Sequence, residues 1–139
     1  MAHLQRAVAS LRIAGDDLIP EEVTALLGAS PTHAQTKGQE IPLKSSSRTR
    51  VALFGQWRLH AAETEPEDLD GQVAELLGKL TNDLAIWQDL SCRFNIDLFC
   101  GWFMGGDNEG VTVEPETLKA LGERGISLAL DIYGPDAEA

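Results

Sequence analysis

Apolar and polar side chains alternate most clearly in the stretch from Phe94 to Met104. One set of alternate positions is entirely apolar: Ile96, Leu98, Cys100, Trp102 and Met104. Successive side chains of a β-strand point to opposite faces of the sheet, so this set forms one buried face. The other set carries Phe99 and Phe103 between small or polar residues, which indicates a second face that is half buried. The stretch therefore predicts a central strand of a sheet.

Three further stretches show the alternation that is typical of strands, at residues 7–13, 51–60 and 126–133. Gly55 interrupts the second of them and is predicted to bend that strand or to divide it into a hairpin. Val111 and Val113 predict one short additional strand.

Three helices are predicted between these strands. Residues 20–28 and 115–122 each begin with a proline, which fits the first turn of a helix. Gly28 fits the C-terminal cap of the first, and Gly125 is expected to end the second. Residues 67–90 carry apolar side chains on one helical stripe, and the capping box that begins at Thr64 precedes them. They predict one long helix, and the alternative is a break near residues 81–83.

Together these elements predict an α+β fold. We expect a mostly antiparallel four- to five-stranded sheet packed against a long helix and two short helices, ferredoxin-like in broad architecture. Residues 1–139 are predicted to form a single α+β domain, because a chain of 139 residues suits one hydrophobic core. Residues 29–49 have little apolar content and predict a long loop, and such loops are commonly functional or mobile.

Charge is distributed unevenly along the chain, whose formal net charge is -11. Residues 1–58 have a net charge of +2 and residues 59–139 a net charge of -13. An acidic protein repels phosphate backbones, so nucleic acid is not expected as the principal partner. A basic protein is compatible with the acidic part, and the alternative is that the acidic residues only keep the protein in solution.

Targeting signals and cysteines add two expectations. No apolar run approaches the roughly 20 residues that span a bilayer, and the N-terminus does not resemble a signal peptide. We therefore expect a cytoplasmic protein without a membrane partner. Cys92 and Cys100 match no metal-binding motif, and both are expected to be reduced, with a disulfide between them as the alternative.

Short motifs at defined spacing run through nearly the whole chain. They are Leu11-Arg12-Ile13-x-Gly15-Asp16-Asp17, Pro20-Glu21-Glu22-Val23, Leu27-Gly28-x-x-Pro31-Thr32, Lys37-Gly38, Gly55-x-Trp57 and Leu130-Asp131-Ile132-Tyr133. In their order and spacing, and in the long helix that is predicted between the last two, they resemble the bacterial domain-of-unknown-function family numbered 4279. The resemblance implies no particular activity and carries over no catalytic residue.

The predicted loop at residues 29–49 is the basic region of this acidic chain and suggests a ligand site. We predict that it lies over the sheet and forms the rim of a pocket for an acidic or anionic ligand. Lys37 and Arg50 would supply positive charge, Trp57 one wall, and Thr32 lies in a motif of the same loop. The alternatives are a mobile loop with solvated charges, and a Trp57 that belongs to the core.

Two other sets of side chains suggest chemistry. Asp16 and Asp17 follow the first strand and could bind a hard cation through oxygen ligands, and the simpler alternative is that they cap backbone donors or form the turn. His33 and His60 could act as acid and base, and the alternative is that both are solvated surface residues. The chain contains none of the common hydrolase, metalloprotease or phosphate-binding motifs.

From these features we expect a binding or interaction module without catalysis and without a cofactor, such as an immunity-like protein. Its partner would be a basic protein or a small anionic ligand, and the protein itself a monomer or homodimer. The alternative is a metal-assisted hydrolase or an anion-ligand-binding enzyme. In that case Asp16 and Asp17 would hold the cation while Lys37 or Arg50 oriented a phosphate or carboxylate.

Overall fold

Seven strands and four helices follow one another in a computed structural model that describes residues 5–135. In chain order they are β1 (Arg6–Gly15), α1 (Pro20–Leu27), β2 (His33–Gln35), β3 (Glu40–Pro42), β4 (Thr49–Val51), β5 (Gly55–His60), α2 (Leu69–Gly78), α3 (Leu84–Arg93), β6 (Asn95–Phe103), α4 (Pro115–Glu123) and β7 (Ser127–Tyr133). Among the residues described, no helix has the length and apolarity needed to cross a membrane.

Five of the strands form the main sheet in the order β2-β5-β1-β6-β7. The first three pairings in that order are antiparallel, whereas β6 and β7 are parallel and are connected through α4. β3 and β4 pair with each other in a separate antiparallel ribbon. The prediction of an α+β fold with a mostly antiparallel sheet is therefore confirmed, and β6 is an interior strand as its pattern indicated.

The hydrophobic core lies on one face of the main sheet. Alternate residues of β1, from Ala7 to Ile13, and of β6, from Ile96 to Trp102, are buried there. All four helices contribute to the same cluster, for example Leu27 of α1, Trp87 of α3 and Leu121 of α4. The helices therefore form one layer against one face of the sheet.

The prediction of one long helix is wrong, because its sequence forms α2 and α3. α2 ends at Gly78, and the side chain of Asp83 accepts a hydrogen bond from the backbone N–H of Ala85 and caps a new helix. Leu80, in the connection, is still buried, so the apolar spacing continues across the break. The helix cap also differs from the predicted one: Asp68, not Thr64, caps α2 by accepting from Gly71 N–H at 3.0 Å.

Three smaller expectations also differ from the structure. Residues 29–49 are not a plain loop, because they contain β2 and β3 and the first residue of β4. No strand forms at Val111 and Val113. The ferredoxin-like arrangement is not confirmed: that fold is built from split βαβ units, whereas the strands of the β6-α4-β7 unit are adjacent.

Candidate functional site

The face of the sheet opposite the helices carries polar and aromatic side chains that are mostly half-buried, and we call it the open face. Strand register places Arg58 of β5, Arg12 of β1 and Asp97 of β6 side by side across this face. Gln56 lies one position further along the same face of β5 and pairs with Ala14. Because the apolar residues between these positions point into the core, the open face gathers the charged side chains of the central strands.

A bidentate ion pair joins two central strands on the open face. Arg12 donates from Nε to Asp97 Oδ1 at 2.8 Å and from a terminal nitrogen to Asp97 Oδ2 at 2.6 Å. The guanidinium also lies 4.5 Å from the ring centroid of Phe99. The hydrogen bonds to Asp97 raise the pKa of Arg12 above its ordinary value. This pair holds a charged group in a fixed position beside the larger cavity of the open face.

That larger cavity, the first cavity, has a volume of about 450 Å³ and lies where β1 ends and β5, β6 and β7 begin. Its lining combines polar and aromatic side chains: Arg12, Gln56, Ser91, Asn95, Asp97, Ser127, Phe54 and Phe94, together with Ala14, Ile96 and Gly125. Small-molecule sites commonly fall between about 300 and 1,000 Å³ and combine apolar walls with a few polar groups. The first cavity falls within this range of volumes, but its lining is more polar, since six of its eleven residues carry polar side chains.

A second cavity of about 160 Å³ lies next to the first, and Gln56 lines both. The ribbon of β3 and β4 contributes Ile41 and Arg50, and strands β2 and β5 contribute His33 and Arg58. The remaining lining residues are Ala34, Gln35 and Gln39, so no carboxylate of the described residues lines this cavity. It is a small space with two arginines and several amide groups.

Among the residues that the structure describes, the two arginines of the second cavity have no carboxylate partner. Arg50 donates to the neutral amide oxygen Oε1 of Gln35 in a long hydrogen bond of 3.3 Å. Neither Arg50 nor Arg58 forms an ion pair within residues 5–135, although the whole chain has a net charge of -11. Positive charge without a counter-charge at a concave surface is the arrangement that recognises carboxylates and phosphates.

Of the four residues that we predicted to bind a ligand, the structure places Arg50 in a cavity and the other three elsewhere. Lys37 forms an exposed ion pair with Asp16 at 3.2 Å, and its side chain does not line the second cavity. The hydroxyl of Thr32 accepts the backbone N–H of His60 at 3.0 Å and fixes β2 beside β5.

Trp57 is completely buried, so it is not the pocket wall that we predicted. It points to the helix side, where its Nε1–H donates to the hydroxyl of Thr24 at 3.1 Å. The reason is the two-residue period of β5: the open face carries Gln56 and Arg58, and the residue between them must face the core.

Asp16 and Asp17 lie in the turn after β1, and both are exposed. The carboxylate of Asp16 accepts a hydrogen bond from Lys37 and so already has a cationic partner. Across the described residues, no group of three or more histidine, cysteine, aspartate or glutamate side chains is arranged to hold a metal ion.

The structure brings His33 and His60 together at the edge of the open face, with ring centroids 5.5 Å apart. Burial lowers the pKa of His60, and the positive charges of Arg58 and His33 lower it further. The Nε2 atom of His60 is buried and has no hydrogen-bond partner among the described residues. Because His33 lines the second cavity, it is the histidine that a bound anion would contact.

Both cysteines are free thiols in the structure, Cys92 exposed and Cys100 buried. Burial raises the pKa of Cys100 to about 12. Neither thiol lines the two cavities of the open face.

Sequence reasoning missed most of the residues that line the two cavities, above all Arg12, Asp97, Gln56 and Arg58. One signal was present: each occupies a polar position in an otherwise apolar alternating stretch. What the pattern could not supply is the strand order and register that place Arg12 opposite both Arg58 and Asp97.

Comparison with known proteins gives the chain a family. No curated protein and no solved structure matches it. The model of the family described as "Domain of unknown function (DUF4279)" matches residues 5–135, which is nearly the whole chain. The protein therefore belongs to the DUF4279 family.

Proposed function

We propose that the protein is a binding module that holds a small anionic ligand on the open face, without catalysing a reaction. The observation that carries this proposal is the second cavity, where neither Arg50 nor Arg58 has a carboxylate partner among residues 5–135. Two unpaired guanidinium groups at one concave site repel each other, and an anion between them removes that repulsion. The rest of the chain is acidic and repels anions. An anion therefore stays bound only through direct contacts with these guanidinium groups.

The sizes of the two cavities suggest the shape of the ligand. A volume of about 160 Å³ accommodates one carboxylate, phosphate or sulfate group but no large body. The first cavity, of about 450 Å³, continues on the other side of Gln56 and offers the aromatic side chains Phe54 and Phe94. A ligand with an anionic head in the second cavity and an aromatic or apolar body in the first would use both.

The test uses inorganic phosphate and phenyl phosphate as probes in calorimetric and NMR titrations. Arg58→Gln and Arg50→Gln are expected to weaken the binding of both probes about tenfold or more, since hydrogen bonds to charged groups contribute about 1.5–3 kcal/mol. Arg48→Gln is the matched control, because it removes the same charge from the same segment outside the second cavity. Equal effects of the three substitutions, or the absence of any anion binding, would overturn the proposal.

A second pair of variants tests the first cavity. Phe54→Ala removes an aromatic wall of the first cavity. It is expected to weaken the binding of phenyl phosphate while leaving the binding of inorganic phosphate unchanged. Leu53→Ala is the control, because Leu53 is 79% exposed and lines neither cavity. If Phe54→Ala does not distinguish the two probes, the aromatic body of the ligand does not occupy the first cavity.

The geometry supports binding better than the metal-assisted alternative, because the carboxylate of Asp16 is already paired with Lys37. An enzyme that acts on an anionic ligand would instead use His33 beside Arg58 as an acid or base. Incubating the wild-type protein with phenyl phosphate and measuring released phosphate separates the two cases. Turnover that His33→Gln abolishes would favour the enzyme over the binding module.

The strong acidity of residues 59–139 supports a second candidate function, an immunity-like module that binds a basic protein. Such a partner would be steered by charge, so its affinity would fall as salt concentration rises. Affinity capture from host lysate at low and high salt tests this candidate. The absence of a specific partner, or a partner indifferent to salt, would contradict it.

A further inference from the structure

The two edges of the main sheet differ in length and protection. β2 forms one edge and has only three residues, whereas β7 forms the other and has seven. Natural sheets protect their edges with short strands, lysine, proline or bulges, because an unprotected edge pairs with another strand. β7 contains no lysine and no proline, and Asp131 is its single charged residue. Within residues 5–135, the β7 edge therefore lacks most of the usual protection.

Exposed apolar side chains accompany this edge. Leu130 is 44% exposed and Ile132 is 51% exposed, although both lie on the face that the helices cover elsewhere. Leu118, on the neighbouring helix α4, is 52% exposed. Single exposed apolar residues need no explanation, but several on one sheet edge indicate an interaction surface.

The backbone of β7 also has hydrogen-bonding groups directed outward. Met104 donates its N–H to the carbonyl of Tyr133, so the N–H and C=O groups of Tyr133 face β6. The N–H and C=O groups of successive residues point to alternate sides of a strand, so those of Ser127, Ala129 and Asp131 also face β6. The groups of the intervening residues, Leu128, Leu130 and Ile132, point away from the sheet, and no strand among the described residues pairs with them.

These groups are self-complementary about Leu130. In an antiparallel pairing of two β7 strands with a two-fold axis at Leu130, Leu128 lies opposite Ile132 and Leu130 lies opposite itself. Each of these is an outward-directed pair that can exchange both backbone hydrogen bonds. The apolar side chains then share one face of the joined sheet, which is what an isologous interface requires.

The charges fit the same register. On the other face, Asp131 of each copy lies opposite Ala129 of the second copy, so no two carboxylates face each other directly. Moving the two-fold axis to Asp131 would place the two carboxylates in direct opposition, which is destabilising. The register about Leu130 also uses all seven residues of β7.

We propose that the protein forms a two-fold dimer in which the β7 edges of two copies pair antiparallel about Leu130 and join their main sheets into one. This surface lies on β7 at the edge of the sheet, whereas the ribbon and the second cavity involve β2 and β5 near the other edge, so the proposal does not rest on anion binding. Each copy has a net charge of -11, and the resulting repulsion is screened by salt. Dimerisation therefore strengthens as ionic strength rises.

Sedimentation equilibrium over a range of protein and salt concentrations tests the dimer. The wild-type protein is expected to dimerise, and more tightly at high salt, whereas Leu130→Lys is expected to be monomeric. Leu53→Lys is the matched control, because it places the same charge at an exposed leucine outside β7 and should leave the dimer intact. Far-UV circular dichroism and thermal unfolding establish that each variant is folded. A monomeric wild-type protein, or a dimer that Leu130→Lys does not weaken more than Leu53→Lys, would overturn the proposal.

Disulfide trapping tests the register itself. Residues opposite each other in a hydrogen-bonded antiparallel pair have Cα atoms about 5.5 Å apart, which is within the range that a disulfide spans. In a background in which Cys92 is replaced by serine and Cys100, the neighbour of Leu130 on β6, is replaced by alanine, Leu130→Cys should form a covalent dimer rapidly under mild oxidation. Leu53→Cys in the same background should not form a covalent dimer rapidly. Equal rates of cross-linking at the two positions would contradict pairing about Leu130.

Discussion

Removing the ion pair between Arg12 and Asp97 tests whether the open face is held together by a defined contact. A double-mutant cycle with Arg12→Met and Asp97→Ala is suited to this, because methionine retains much of the apolar stem that lies against Phe99. The cycle separates the energy of the pair from the strand preferences of the new residues.

The expected magnitude follows from geometry and exposure. The two hydrogen bonds measure 2.8 and 2.6 Å, and the side chains are 33% and 27% exposed. Hydrogen bonds to charged groups contribute about 1.5–3 kcal/mol, and fully exposed ion pairs about 0–1 kcal/mol. For a bidentate pair of intermediate exposure we expect a coupling free energy of about 1–2 kcal/mol.

Urea unfolding of the wild-type protein, the two single variants and the double variant gives the coupling energy. The exposed pair of Lys37 and Asp16 provides a control cycle in the same protein, with side chains that are 52% and 65% exposed. Its coupling energy should be clearly smaller, because solvent screens both charges. If the coupling between Arg12 and Asp97 falls within the about 0.3–0.5 kcal/mol error of additivity, or does not exceed that of the control, the reasoning from burial is wrong.

Three further predictions concern pH, backbone conformation and thiol reactivity. Because His60 has a pKa lowered below 6.5 in the folded protein, it binds fewer protons there than in the unfolded chain. Stability is therefore expected to fall as pH drops through 6.5, and to fall less in His60→Gln, in urea unfolding from about pH 8 to about pH 5. Gly28 has a φ of +86°, so Gly28→Ala should destabilise by about 1 kcal/mol in the same assay. Gly78→Ala should instead be neutral or stabilising, because Gly78 is the last residue of α2 and a Cβ there would have no close neighbours. A larger loss of stability in Gly78→Ala than in Gly28→Ala would contradict this prediction. Ellman's reagent at mildly alkaline pH should label one thiol in the native protein, Cys92, and both only after unfolding, since Cys100 is buried with a pKa of about 12; rapid labelling of both would refute this.

Several elements were determined by local sequence alone. The alternating apolar positions of β1, β6 and β7 predicted these strands, because the two-residue period of a strand is fixed by its backbone. The prolines at the starts of α1 and α4, and Gly28 after α1, predicted helix boundaries, because both residue types act through backbone conformation. These signals depend on few neighbours and so can be seen in the sequence.

The break between α2 and α3 was harder to predict, because buried Leu80 continues the apolar spacing through the connection. Strands β2, β3 and β4 have three residues each and are largely exposed, so they carry no alternating apolar pattern. Their pairing with distant segments, not their own side chains, makes them strands.

The candidate site was decided by tertiary structure. The sequence indicated a basic segment and contributed Arg50, but it could not show that Trp57 faces the core or that Lys37 is paired with Asp16. The ion pair of Arg12 and Asp97 joins residues that are 85 positions apart in the chain. Only strand order and register bring such residues together. The free energy that selects this order and register comes from burying one face of the whole sheet and not from any local contact.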